Sequence, residues 1–222
     1  MKGYRFDEHG KGYAVGKTLQ SYRPQFSILL SLIPKQSKVL DVACGDGVLG
    51  EKLIKENNCS VFGIDLDAIG VKESRRKGIK AKQWDANQKF PYPSKSFDVV
   101  VCNDSLECME NPNIVVSEMF RVSKNTVIVT FPNFGFWVYR IQMLFGIFPY
   151  LSLFGHKWWN TRMIKFFSLK DFLQLPVLKG KKPQKIICIN WRNRKISQLS
   201  KLFPNLFARS CILIYTTIPS SP

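Results

Sequence analysis

Apolar residues along this chain fall into two rhythms, short unbroken runs and helical stripes, and the two alternate. Lys38–Val42, Val61–Ile64, Ile79–Trp84, the FDVVVC run opening at Phe97, and Asn125–Phe131 are of strand length, and Lys38–Val42 and the FDVVVC run are apolar in the way a buried parallel strand needs. Between them lie helical patterns. Val48–Asn57 puts Leu49, Leu53 and Ile54 on one stripe, Ala68–Lys77 stops at Gly78, and Pro112–Val122 opens with Asn111 as cap and proline at its first position. Strand and helix in turn predict an α/β fold on a mostly parallel sheet. Ahead of it, Tyr22–Leu32 is predicted helical, since Phe26, Leu29, Leu30 and Ile33 recur at helical spacing. Behind it come an amphipathic helix over Phe136–Phe145 and a short helix over Ser168–Leu175, with Ser168 as cap and Asp171 completing a box-like pair. Lys185–Trp191 and Cys211–Thr217 then have strand character, and Pro219–Pro222 reads as a frayed end.

At 222 residues the chain is one domain, or one domain with a lobe, large enough to bury a core without staples. Charge changes the picture. Residues 38–156 carry 14 Lys and Arg against 13 Asp and Glu, whereas residues 157–222 carry 13 against the single acid Asp171. A basic last third fits nucleic acid, an anionic membrane surface or an acidic protein, and it equally fits a solvated basic face. Six cysteines make no CxxC pair, and with two histidines, His9 and His156, they argue against a zinc site; no metal is expected. Without an apolar leader the N-terminus predicts a cytoplasmic protein with reduced thiols. From Phe131 to Trp159 there are eleven aromatics and two full charges, Arg140 and Lys157. Pro132, Gly135, Gly146, Pro149 and Gly155 interrupt this stretch well short of the roughly 20 apolar residues of a membrane span. It reads as a cap over the sheet, or as a surface that docks to lipid or to another protein.

The candidate chemistry begins at Lys38–Asp65, a strand, a glycine turn, a helix, and a second strand ending in an acid. Gly45 and Gly47 suit a turn that brings main-chain N–H groups and a helix N-terminus to a ligand, and Asp65 stands where a carboxylate can take both hydroxyls of a ribose. A tight turn in an ordinary α/β protein has the same composition. The spacing is not GxGxxG. DVACGDG matches DxGxGxG with Ala43 at the first glycine, and this resembles motif I of the class I S-adenosylmethionine-dependent methyltransferases. FPYPSKSFDVVVCNDSLECM resembles a second signature of that class, with Asn103, Asp104 and Ser105 leaving the carboxyl end of the fourth strand. The resemblance implies a Rossmann-like sheet of seven strands closed by an antiparallel hairpin, with S-adenosyl-L-methionine as cofactor. It further implies a cradle of Asp41, Ala43, Cys44, Gly45, Gly47, Asp65, Leu66, Asp85, Ala86 and Asn103, in which Leu66 packs on adenine and Asp85 takes its amino group.

TFPNFGFWVYRIQMLFG at Thr130–Gly146, KWWNTRMIKFFSLKDF at Lys157–Phe172 and PNLFA at Pro204–Ala208 narrow the resemblance to the methionine-biosynthesis MetW family, over nearly the whole chain from Val39. The departures lie on the acceptor side. The family's histidine after FPNFG is Phe136, and its WYDTPNIH reads WWNTRMIK, with Asn160, Arg162 and Lys165 for Asp, Pro and His. The expected organisation is a lead-in or lid over 1–37, a cofactor-binding core over 38–131, an aromatic cap over 132–184 and closing strands over 185–222.

Two functions follow. One is methyl transfer to a small-molecule acceptor; the other, from the family's association with homoserine O-acyltransferase, is that of a cofactor-binding partner or regulator of that enzyme or another acidic protein. A lipid, quinone or membrane-bound glycan acceptor, reached by peripheral membrane contact, would use the aromatic cap and basic tail together. Nucleic acid is disfavoured, since CNDS stands where an NPPY-like motif would be. No GxSxG elbow and no GxxxxGK[ST] loop occurs, which excludes a hydrolase-type acyltransferase and a P-loop enzyme. No catalytic residue is assigned; base candidates are Asp104, Glu107, Asn133, Tyr139 and His156.

Overall fold

The alternation of buried runs and amphipathic stripes produces three layers. The computed structural model describes residues 5–6, 12–13, 24–149, 165–189 and 198–217. Among them, seven strands make one sheet: β1 (Lys38–Val42), β2 (Ser60–Asp65), β3 (Lys80–Gln83), β4 (Phe97–Asn103), β5 (Ser123–Pro132), β6 (Lys185–Ile189) and β7 (Ser210–Thr216). Their spatial order is β3-β2-β1-β4-β5-β7-β6. The first five are parallel, and β7 runs antiparallel between β5 and β6. The helices are α1 (Pro24–Leu32), α2 (Val48–Asn57), α3 (Ala68–Arg76), α4 (Pro112–Val122), α5 (Trp137–Leu144), α6 (Leu169–Phe172), α7 (Gln198–Leu202) and α8 (Pro204–Phe207). A separate two-residue ladder pairs Arg5–Phe6 with Gly12–Tyr13.

Side-chain alternation along the strands divides the core in two. Val39, Val99, Val101, Ile128 and Ile212 pack with α1, α2 and α3 on one face. Leu40, Val42, Val100, Cys102, Val127 and Val129 pack with α4 and α6 on the other. Caps set the helix ends. Asn111 accepts from the Ile114 amide with Pro112 at N1, Asp67 accepts from the Gly70 amide, and Ser168 and Asp171 form a complete capping box. Asn58 ends α2 in the left-handed conformation, and the neighbouring Asn57 amide donates to the Leu30 and Ile33 carbonyls, fastening α1 to α2.

The strand order reverses between β1 and β4, which places a crevice at their carboxyl ends, the position where open α/β sheets take ligands. The loop after β1 lies at that reversal. The expected lid role of Tyr4, Tyr13 and Tyr22 rests on side chains outside the described residues, as do His9, His156, most of the WWNTRMIK segment, Asn190–Trp191 and the terminal Pro219–Pro222.

Candidate functional site

Two glycines open the turn after β1, and each is there for a different reason. Gly45, at φ 54°, is gripped from both sides: its amide donates to Asp65 Oδ2 at 2.7 Å, and its carbonyl accepts from the Ser74 hydroxyl at 2.8 Å. A Cβ built there would meet nothing within 4 Å, so the missing side chain leaves open space over a fixed peptide. At Gly47, φ 78°, a Cβ would lie 2.4 Å from Ile79 Cδ1 and 2.7 Å from Ser74 Oγ. Its lack of a side chain therefore also serves the packing of the start of α2 against α3 and Ile79, just before β3. Cys44 is also turned inward. Its thiol lies under Gly63, where an added Cβ would come within 2.6 Å of the sulfur, and burial raises its pKa above the usual thiol range, with Asp41 and Asp65 adding to the effect.

Gly70 and Ser74 were not singled out by the motif reading, yet they hold the loop. A Cβ on Gly70 would approach the Gly45 carbonyl oxygen to 2.8 Å, so α3 comes against the loop only because residue 70 is glycine. A glycine in the first turns of a helix, where alanine would serve better, is the signal that could have found it.

The acids at this end differ sharply. Asp65, buried at the end of β2, accepts from two amides, Gly45 through Oδ2 and Asp67 through Oδ1 at 2.9 Å. Asp41 is buried beneath it, and its pKa is pushed up to about 8, first by loss of solvent and then by Asp65 and Asp46. Leu66 follows Asp65 and is 53% exposed, an apolar side chain on the rim beside a buried carboxylate. Asp85 lies past the end of β3, where its Oδ1 accepts from the amide and side chain of Asn87, each at 2.9 Å; Ala86 is buried next to it. Asn103 ends β4, with its Oδ1 3.0 Å from the Thr130 hydroxyl. Ala43 takes the first-glycine place at φ 59°.

The base candidates are largely occupied. Asp104, at φ 46°, accepts from the Gln25 side chain of α1 through Oδ2, and its Oδ1 is 2.9 Å from the Thr130 hydroxyl. Gln25 is a third residue the motif reading missed, and it ties the lead-in helix to the carboxyl edge. Asn133 is fully buried; its amide nitrogen donates to the Ala208 and Asn205 carbonyls at 2.7 and 3.0 Å, and its oxygen accepts from the Gly135 and Leu169 amides at 3.0 and 2.9 Å. Tyr139 is buried, and its hydroxyl accepts from Arg209 Nε at 3.1 Å. Asn133 and Tyr139 thus have structural roles, holding the chain after β5 to α6, α8 and Arg209. Glu107 is buried, and its carbonyl accepts from the Lys165 amide at 2.7 Å.

A solved structure of a methyltransferase of Thermotoga maritima, described as a possible histamine N-methyltransferase, matches 88% of this chain and 88% of its own with a TM-score of 0.64 at 14% identity. A Pyrococcus horikoshii protein matches 96% and 99% with a TM-score of 0.65 at 19% identity. These likenesses show the fold, the class I methyltransferase arrangement. In sequence, the bifunctional methionine biosynthesis protein MetXA/MetW of Rhodopirellula baltica is 27% identical over 158 residues, 66% of this chain and 25% of that protein. A ubiquinone biosynthesis O-methyltransferase of Hahella chejuensis is 30% identical over 93 residues, 39% of each. The chain thus spans well under half the length of these relatives. The model of the family described as methionine biosynthesis protein MetW matches residues 23–215, from the start of α1 through β7, and by that match the chain belongs to the MetW family.

Proposed function

We propose that the chain binds S-adenosyl-L-methionine at the carboxyl ends of β1 and β2 and transfers its methyl group to a small-molecule acceptor. The observation that carries the reading is Gly45: a peptide locked by Asp65 and Ser74, with open space where a side chain would stand. That fits a cofactor lying against bare backbone, and the exposed Leu66 beside buried Asp65 fits an adenosine with one flat apolar face and two hydroxyls. In this reading Gly45, with the main chain of Ala43 and Cys44, backs the methionine portion. Asp65 takes the ribose, Leu66 covers the ring, Asp85 and Ala86 meet the adenine edge, and Asn103 borders the methyl-bearing end. Asp41 and Gly47 support the loop from below.

The bound cofactor supplies a methyl group on a sulfonium, a leaving group good enough that alignment and exclusion of water can lower most of the barrier. The chain's own part is to hold that geometry. With Asp104, Asn133 and Tyr139 hydrogen-bonded inside the protein, no strong base is required of them. The relative named for ubiquinone biosynthesis O-methylation supports methyl transfer as the reaction and, of the acceptors, speaks for a quinone. A second reading, as partner or regulator of homoserine O-acyltransferase, is favoured by one observation, the bifunctional MetXA/MetW relative.

Thermal shift tests the cradle. S-adenosylmethionine or S-adenosylhomocysteine at about a hundredfold over Kd stabilises by about 2.7 kcal/mol, which for a chain this size raises Tm by roughly 5 to 10 °C. Asp65→Ala should abolish the shift but also releases the Gly45 amide, so Leu66→Ala is the cleaner variant. Its apo Tm should stay at the wild-type value while affinity falls about tenfold. No shift with either ligand would overturn the cofactor reading, and co-purification with a homoserine O-acyltransferase would then favour the second.

A further inference from the structure

We propose that the exposed face of α5 and the turn behind it dock onto an anionic lipid surface. The placement of α5 is inverted relative to an ordinary surface helix. Its inward side is made by Val138, Tyr139 and Gln142, with Tyr139 fixed by Arg209, whereas Trp137, Ile141 and Leu144, spaced so as to share one face, are exposed, as are Phe145 at its end and Phe148 in the turn behind it. Leu144 is 80% exposed and Phe145 74%. The patch has a firm base. Arg140 Nε donates to the Gly135 carbonyl at 2.7 Å, the Ile147 amide returns to the Gln142 carbonyl at 2.8 Å, and the Phe148 ring packs on Phe166, which packs on Phe134, at centroid distances of 5.1 and 4.5 Å. A large apolar projection held this rigidly is a contact surface.

Charge decides what it contacts. From residue 133 to the end the sequence has 14 Lys and Arg and one acid, Asp171, and that acid is engaged in the Ser168 capping box. Lys165 adjoins Phe166, and Lys201 precedes the exposed Leu202 and Phe203. A second copy of the chain would bring the same positive charge against itself. An anionic bilayer offers both complements, phosphate for the lysines and acyl chains for Leu144 and Phe145. The mode is peripheral: no helix among the described residues is long and apolar enough to cross a membrane. The proposal stands independently of methyl transfer.

Vesicle flotation tests it, with phosphatidylcholine vesicles with and without phosphatidylglycerol, at low and high salt. The wild type should float with the anionic vesicles and be released by salt. The double substitution Leu144→Asp, Phe145→Asp should reduce partitioning about tenfold or more, with an unchanged circular dichroism spectrum and Tm because both side chains are exposed. Ile114→Ser on α4, another exposed apolar position, should float like the wild type. Failure of the wild type to bind, binding that the double substitution leaves intact, or a concentration-dependent dimer that the substitution dissolves would each overturn the proposal.

Discussion

At Ala43 a single methyl group is held at φ 59°, in the left-handed region that glycine occupies freely. From sequence alone the methyl looks like a matter of space; the structure makes it one of backbone conformation. The left-handed region costs an alanine about 1 to 2 kcal/mol, part of which glycine gives back through its freer unfolded chain. Ala43→Gly should therefore stabilise the protein by about 0.5 to 1 kcal/mol, a Tm rise of roughly 1 to 4 °C. A fall in Tm would mean that the turn does not carry this strain. Asp41 gives a second prediction at this scale. Its folded pKa of about 8 lies above the ordinary carboxylate value, so the folded state holds a proton that the unfolded chain releases from about pH 4 upward. Stability from this group is greatest at low pH, falls as pH rises through that window, and levels off above about 8. Asp41→Asn has no such proton to lose. In urea unfolding, the variant's stability relative to wild type should rise between about pH 5 and about pH 9; a flat difference would place the Asp41 pKa near its usual value.

Asn133 shows how elements are joined. The three blocks that mark the family, FPNFG, the segment ending SLKDF, and PNLFA, are distant in sequence, and one side chain stitches them together: Asn133 directly follows β5, and its side-chain amide reaches Leu169 at the start of α6 and Asn205 and Ala208 in and after α8. Gly135 belongs to the same knot, since a Cβ there would lie 2.6 Å from the Asn205 carbonyl oxygen. Asn133→Ala would leave buried carbonyls and amides without their partner, a loss of about 3 kcal/mol and a Tm lower by roughly 6 to 12 °C. A change of under a degree or two would show that water replaces the amide. This knot marks the limit of legibility. The helices and strands were readable because period and caps are local: α2 and α4 begin and end where Val48–Asn57 and Pro112–Val122 predicted, and the Ser168–Asp171 box is formed. The role of Asn133, the packing reason for Gly47 and the grip of Gly70 and Ser74 on the loop depend on atoms 25 to 75 residues away in sequence, and no local pattern encodes them.

For the whole molecule the informative fact is that β7 lies between β5 and β6. The parallel strands up to residue 132 thus form no closed unit. β5 has β4 on one side, and on the other it pairs with β7 from Thr126–Thr216 through Pro132–Ser210, seven register pairs that include fully buried Ile128, Val129, Ile212 and Leu213. A chain stopped at residue 184 keeps the glycine loop, Asp65 and Asp85 but bares β5 along its length, together with the polar knot whose acceptors lie at Asn205 and Ala208. A long, flat, apolar edge is a template for other chains. Such a truncation should aggregate or remain uncooperative in urea, and it should bind no cofactor despite retaining every proposed contact residue. A soluble, cooperatively folding fragment that still shows the ligand-induced thermal shift would mean that the site needs only the parallel half of the sheet. The basic closing third would then be an appended surface rather than part of the frame on which Gly45 and Asp65 are held.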